Sequence, residues 1–196
     1  MMTAMMLSLP VDAEANELLS RNPLALLIGM LLDQQVPLEK AFSSPAELVK
    51  RLGHEPTAAE LAEFDPDALA ALFSERPALH RFPKAMAART QDLARLIVDR
   101  YDGEPAAVWT GAATGKELVV RLAELPGFGG YKAQIFAALL GKQLGVQPEG
   151  WREAAGHFGE EGSHYSVADI VDDSSLAAVR AHKKELKAAA KAKSAG

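Results

Sequence analysis

The chain contains no cysteine. That one absence excludes disulfides, thiolate metal ligation, an iron–sulfur cluster and a cysteine nucleophile. No apolar run approaches the roughly 20 residues that a membrane span needs. The N-terminal MMTAMMLSLP has neither the basic segment nor the cleavage site of a secretory signal, so a cytoplasmic protein is expected. Strand-like alternation is missing, and so are internal repeats and long low-complexity segments. The five histidines, His54, His80, His157, His164 and His182, show no metal-ligand spacing and no deaminase signature. An excess of positive charge is missing too. The net charge of −5 alone counts against a nucleic-acid binder.

What is present fits a helical globular protein. Hydrophobic residues make up 48% of 196 and charged residues 24%, enough for one core. Charge is segregated along the chain. Residues 149–173 hold seven acids and one base, whereas 180–193 hold six Lys or Arg and one acid. A basic surface can therefore coexist with an acidic back. Helix signals recur. They include Asn22-Pro23, Ser44-Pro45, Thr57-x-x-Glu60, Asp65-Pro66 and Ser166-x-x-Asp169, each a cap or a proline start. A helix over Leu24–Gln35 is apolar nearly all round until Asp33-Gln34-Gln35, so it belongs in the core. A helix is expected over residues 84–101, another over 149–158, and a last one from Ser174 or Ser175 into the lysines, its end fraying.

The most distinctive stretch is LPGFGGYKAQIFAALLGKQLGV, residues 125–146. Its three glycines in four residues permit close backbone approach, and a helix starts directly after them. The first amides of that helix lack internal partners and lie at its positive end, which suits a phosphate. The P-loop pattern is absent, because no Ser or Thr follows Lys132.

Leu125, Pro126, Gly127, Gly129 and Ala133 resemble the hairpin of the helix-hairpin-helix (HhH-GPD) DNA glycosylase superfamily, with Phe128 in place of the usual valine. A second stretch is similar to that family as well. Residues 22–42, NPLALLIGMLLDQQVPLEKAF, resemble its second helix, followed by Gln34-Gln35. Gln35 and Leu125 are 90 residues apart, in the family's order. Phe82-Pro-Lys84-Ala85, leading to Tyr101-Asp-Gly103, is a weaker third match.

The resemblance implies an all-α, two-lobed fold. The central lobe would span 22–140, and a second lobe would combine 1–21 with 145–196, including the basic tail. It implies double-stranded DNA as partner, held by Leu125, Gly127, Phe128, Gly129, Gly130 and Lys132, with Gln34 and Gln35 at the wedge that fills the gap left by an extruded nucleotide. A monovalent cation, K+ or Na+, is implied at the carbonyls of Leu125 and Gly127, and no side-chain metal site. A monomer is expected.

A glycosylase needs a carboxylate near the anomeric carbon or an amine that attacks it. The family's lysine position falls on Tyr131. Lys132 lies one residue on, rotated by about 100° on a helix, so no β-lyase activity is expected. The family's aspartate position falls on Glu149, 18 residues beyond Tyr131. Asp33 is a further carboxylate beside the expected DNA face and is atypical there. Trp109 and Trp151 are expected to pack in the core rather than to line a base pocket. The expected function is a monofunctional DNA glycosylase acting on a damaged or mismatched base. The alternatives are a non-catalytic, lesion-sensing DNA binder on the same scaffold, or a scaffold that has left DNA.

Overall fold

The computed structural model describes residues 5–196. Residues 1–4, part of the expected second lobe, lie outside the described residues. The described chain forms eleven α-helices: α1 Ala13–Arg21, α2 Pro23–Leu32, α3 Leu38–Leu52, α4 Ala58–Glu63, α5 Pro66–Ser74, α6 Pro83–Tyr101, α7 Ala107–Thr110, α8 Gly115–Ala123, α9 Gly130–Gln143, α10 Trp151–Ala154 and α11 Asp173–Ser194. Two 3-10 turns, Gly156–Gly159 and Val167–Asp169, lie between α10 and α11. Among the described residues the only extended pairing is one isolated bridge, Thr114 to Glu149. The fold is all-α, as expected.

Helix α2 is the axis of the molecule. The Asn22 side chain accepts from the Ala25 amide, Pro23 opens the first turn, and every residue from Leu24 to Leu32 is buried. A helix apolar on all sides must be surrounded. Here α1, α3 and α6 pack on it. Leu31 meets the hairpin after α8, where Gly127 has φ +80 and an added Cβ would lie 2.3 Å from Leu31 Cδ1. Only glycine satisfies both constraints.

The helices pack in groups. Helix α1 joins α2 and α3, and α4 and α5 pack on α6. Helix α9 packs against α8, α10 and both 3-10 turns. Leu18 and Leu19 of α1 are buried, which ties that helix to its sequence neighbours.

Two helix boundaries differ from those expected. Residues 38–52 form one helix through Pro45 rather than two. The Ser44 hydroxyl donates to the carbonyls of Lys40 and Leu79, anchoring the turn whose ladder Pro45 interrupts. The helix expected over 149–158 stops at Ala154, because Gly156 turns left-handed at φ +63.

Candidate nucleic-acid interface

The hairpin joins α8 to α9. Its turn is closed by the Phe128 amide donating to the Leu125 carbonyl at 3.0 Å. Leu125 is buried, and Phe128 is only 3% exposed. The Phe128 ring meets Phe136 edge-on, centroids 6.0 Å apart. The side chains of both residues, expected at the DNA surface, therefore face the core. Only their backbone remains available, because the hairpin needs apolar anchors to hold its glycines outward.

Those glycines do face out. Gly127, Gly129 and Gly130 are exposed, and a Cβ at Gly129 or Gly130 would meet nothing within 4 Å. Gly129 caps α9 without a side-chain hydrogen bond. The first intrahelical bond to a Gly129 acceptor comes from Ala133. Among the described residues the amides of Gly130, Tyr131 and Lys132 thus have no protein partner, at the positive end of a 14-residue helix.

Lys132 is not on that outer surface. Its ammonium donates to the carbonyls of Met30 at 2.9 Å and Leu31 at 3.4 Å, capping the end of α2. It also lies 5.8 Å from the Phe128 ring centroid. Burial holds its pKa below the ordinary lysine value, with Asp33 raising it and Arg89 lowering it further. The expected phosphate contact is replaced by a tie between the start of α9 and α2. The unpaired carbonyls at the end of a buried helix draw the cation inward.

Tyr131, by contrast, is 63% exposed, with its ring edge-on to Phe158 at 5.0 Å.

The turn after α2 separates the two glutamines. Gln34 is turned inward, its side-chain amide donating to the Leu31 carbonyl at 2.8 Å and its side-chain oxygen accepting from Arg89 at 3.2 Å. It clamps the turn rather than facing solvent. His80, 2% exposed, completes the clamp. Its Nδ1 accepts from the Phe82 amide at 3.0 Å, leaving Nε2 to donate to the Gln34 carbonyl at 2.9 Å. Gln35 projects outward from a left-handed backbone at φ 57. A non-glycine residue held there is strained, and such strain concentrates at functional positions. The clamp residues His80 and Arg89 carry no motif, and only the fold brings them to the turn.

Glu149 lies elsewhere. Its carbonyl accepts from Gly115 at 2.7 Å, and its exposed side chain lines a cavity of about 430 Å³ with Thr114, Lys116 and Glu153. The adjoining Gln147 donates to the Gly141 carbonyl, and Trp151 packs over Gly141. Ten residues of α9 separate Gly141 from Tyr131, roughly 15 Å along the axis. Tyr131, Gln35 and the glycines share the hairpin end of α9, and Glu149 stands at the other. Trp109 and Trp151 are both buried, as their core role requires.

Asp33 closes α2 at the hairpin end. It is half-buried and lines a second cavity, of about 260 Å³, with Val36, Ile170, Arg180 and Lys183. Burial raises its pKa, while Lys183 and Lys132 pull it back. Among the described residues no group of three His, Asp or Glu is placed to hold a metal, and no helix is long and apolar enough to cross a membrane.

Residues 28–195 match the family model described as HhH-GPD superfamily base excision DNA repair protein. No curated protein matches the chain.

Proposed function

The chain belongs to the HhH-GPD superfamily of base excision DNA repair proteins, and from that premise we propose that it is a monofunctional DNA glycosylase acting on a damaged or mismatched base in double-stranded DNA. The observation that carries the reading is the open hairpin. Three unpartnered amides at the start of α9 face solvent beside exposed glycines, which is what a backbone phosphate requires. Gln35, outward and strained, is suited to fill the gap left by an extruded nucleotide. A monovalent cation fits the carbonyls of Leu125 and Gly127. The first accepts one turn bond and keeps a second lone pair. Such an ion would add positive charge beneath the phosphate.

The chemistry is hydrolysis without strand cleavage. Tyr131 occupies the position from which an amine would attack, and it has no amine to offer. Lys132 is committed to the carbonyls of Met30 and Leu31. Glu149 lies at the far end of α9, which weighs against it as the carboxylate and lends weight to the second reading, a lesion-binding protein without turnover.

Single-turnover base release tests the two. The substrates are duplexes carrying deaminated, oxidised or alkylated bases, or mismatches. Release from at least one is expected, with no covalent adduct to an abasic duplex after borohydride treatment. Binding without release from any substrate would favour the second reading. An adduct lost in Lys132→Ala would overturn the monofunctional assignment.

A further inference from the structure

We propose that Asp33, on the floor of the cavity between the α2–α3 turn and α11, is the catalytic carboxylate of this protein, and that this cavity receives the extruded nucleotide. The proposal rests on the glycosylase reading above and supplies the group that Glu149 is too distant to provide.

Asp33 has no structural reason to be where it is. It ends α2, at the negative pole of the helix, where a carboxylate is disfavoured. Its side chain is half-buried. Among the described residues it takes part in no hydrogen bond and no ion pair within 4.0 Å. Carboxylates removed from water are normally paired, and one left alone at a cavity is a functional-site signal. Lys132 and Lys183 face it from α9 and α11, beyond pairing distance.

Its surroundings suit the task. The Lys132 ties to Met30 and Leu31 bring the hairpin end of α9 against the turn that carries Asp33. Gln35 follows two residues later. A strand held at the hairpin and opened by Gln35 therefore has this cavity beside it. Arg180 and Lys183 on its wall are placed for the phosphates flanking an extruded nucleotide, Arg180 being anchored by Glu39. Of the two carboxylates that line the cavity, Glu39 is taken up by Arg180, and Asp33 is left free where positive charge develops on the sugar.

The step balances as a hydrolysis. The bond from C1′ to the base nitrogen breaks, and its electron pair leaves with the base. Asp33 stabilises the cationic sugar. Water adds to C1′ and passes one proton to Asp33, which releases it through solvent to the departed base. One water is consumed, and the products are the free base and an abasic sugar.

The test needs no knowledge of the lesion. Two duplexes are compared at one salt concentration, one with a pyrrolidine abasic analogue, cationic like the transition state, the other with a neutral tetrahydrofuran analogue. Wild type is expected to prefer the cationic duplex by about tenfold or more. Asp33→Asn should abolish the preference while binding the neutral duplex as wild type does, and Glu149→Gln should keep it. Asp33→Ser serves as a second variant, and loss of fold in both would make the carboxylate structural and overturn the proposal. A wild type without the preference, or one whose preference survives Asp33→Asn, overturns it too. If such a protein still releases bases, the glycosylase reading stands without Asp33. If neither duplex is bound, both fall together.

Discussion

Asp33 and Lys132 face each other beyond pairing distance, and each is held off its ordinary pKa by burial. The signs differ in consequence. An acid whose folded pKa is raised binds more protons folded than unfolded, so it favours the fold at low pH and loses that contribution as pH rises through the folded value. A lysine whose folded pKa is lowered works the other way, and stability rises with pH between the folded and the unfolded value. Asp33→Asn is therefore expected to melt above wild type at neutral pH. Relief of about 1 kcal/mol corresponds to about 2–4 °C in a chain of this size. The gain should shrink as pH falls toward the ordinary aspartate range. Thermal melts of both proteins between acidic and neutral pH check this with Lys132, Lys183 and Arg89 unchanged. A variant that melts lower at neutral pH would mean that Asp33 is stabilised by contacts beyond those described.

At the scale of elements, the hairpin separates residues that hold it from residues that use it. Gly127 belongs to the first kind. In Gly127→Ala the new methyl must displace Leu31 in a buried helix while the backbone stays at positive φ. A loss of at least about 2 kcal/mol is expected, a fall of roughly 4–8 °C in Tm. Gly130 belongs to the second kind. It is the first residue of α9, its surroundings are open, and Gly129 before it is extended at φ −82, ψ 178. Proline is accepted at such a position, because the amide it removes has no partner in the helix. Gly130→Pro should leave Tm within about 2 °C yet delete one donor from the hairpin, and calorimetry on the two variants distinguishes these roles. The same division explains what the sequence made legible. The caps at Asn22, Thr57, Asp65 and Ser166, the all-apolar α2 and the glycine hairpin are local patterns, and the structure carries each. Lys132 was unreadable, since its inward turn depends on α2 carbonyls some hundred residues earlier in the chain. Glu149 has the family's spacing, but at that point the chain is still at the far end of α9, beside Gly115 and Gly141. The chain returns to the hairpin end only at Phe158, beside Tyr131, and spacing along the chain does not encode that path. Pro45 signalled a helix start and lies inside a helix, because Ser44 anchors its turn across to Leu79.

Over the whole molecule, net charge and binding surface part company. The chain carries −5 overall, yet Arg180, Lys183 and Lys187 line the cavity that Asp33 enters, and the hairpin adds the positive end of α9. The acidic run 149–173 contributes Glu149 and Glu153 to the other cavity, at the far end of α9. A molecule polarised in this way is expected to bind DNA on one side only, with an affinity that salt weakens. Each neutralised phosphate contributes about 0.9 to the log–log slope. The neutral amides of the hairpin contribute strength without counterion release. The most direct measurement is therefore the duplex dissociation constant across a salt series for wild type and Gly130→Pro. Wild type should give a straight log–log line of clear negative slope. The variant should lie parallel to it and weaker by roughly 10–100-fold, the worth of one hydrogen bond to a charged phosphate. Superimposable lines, or wild-type binding indifferent to salt, would contradict the claim that the open hairpin grips the DNA backbone.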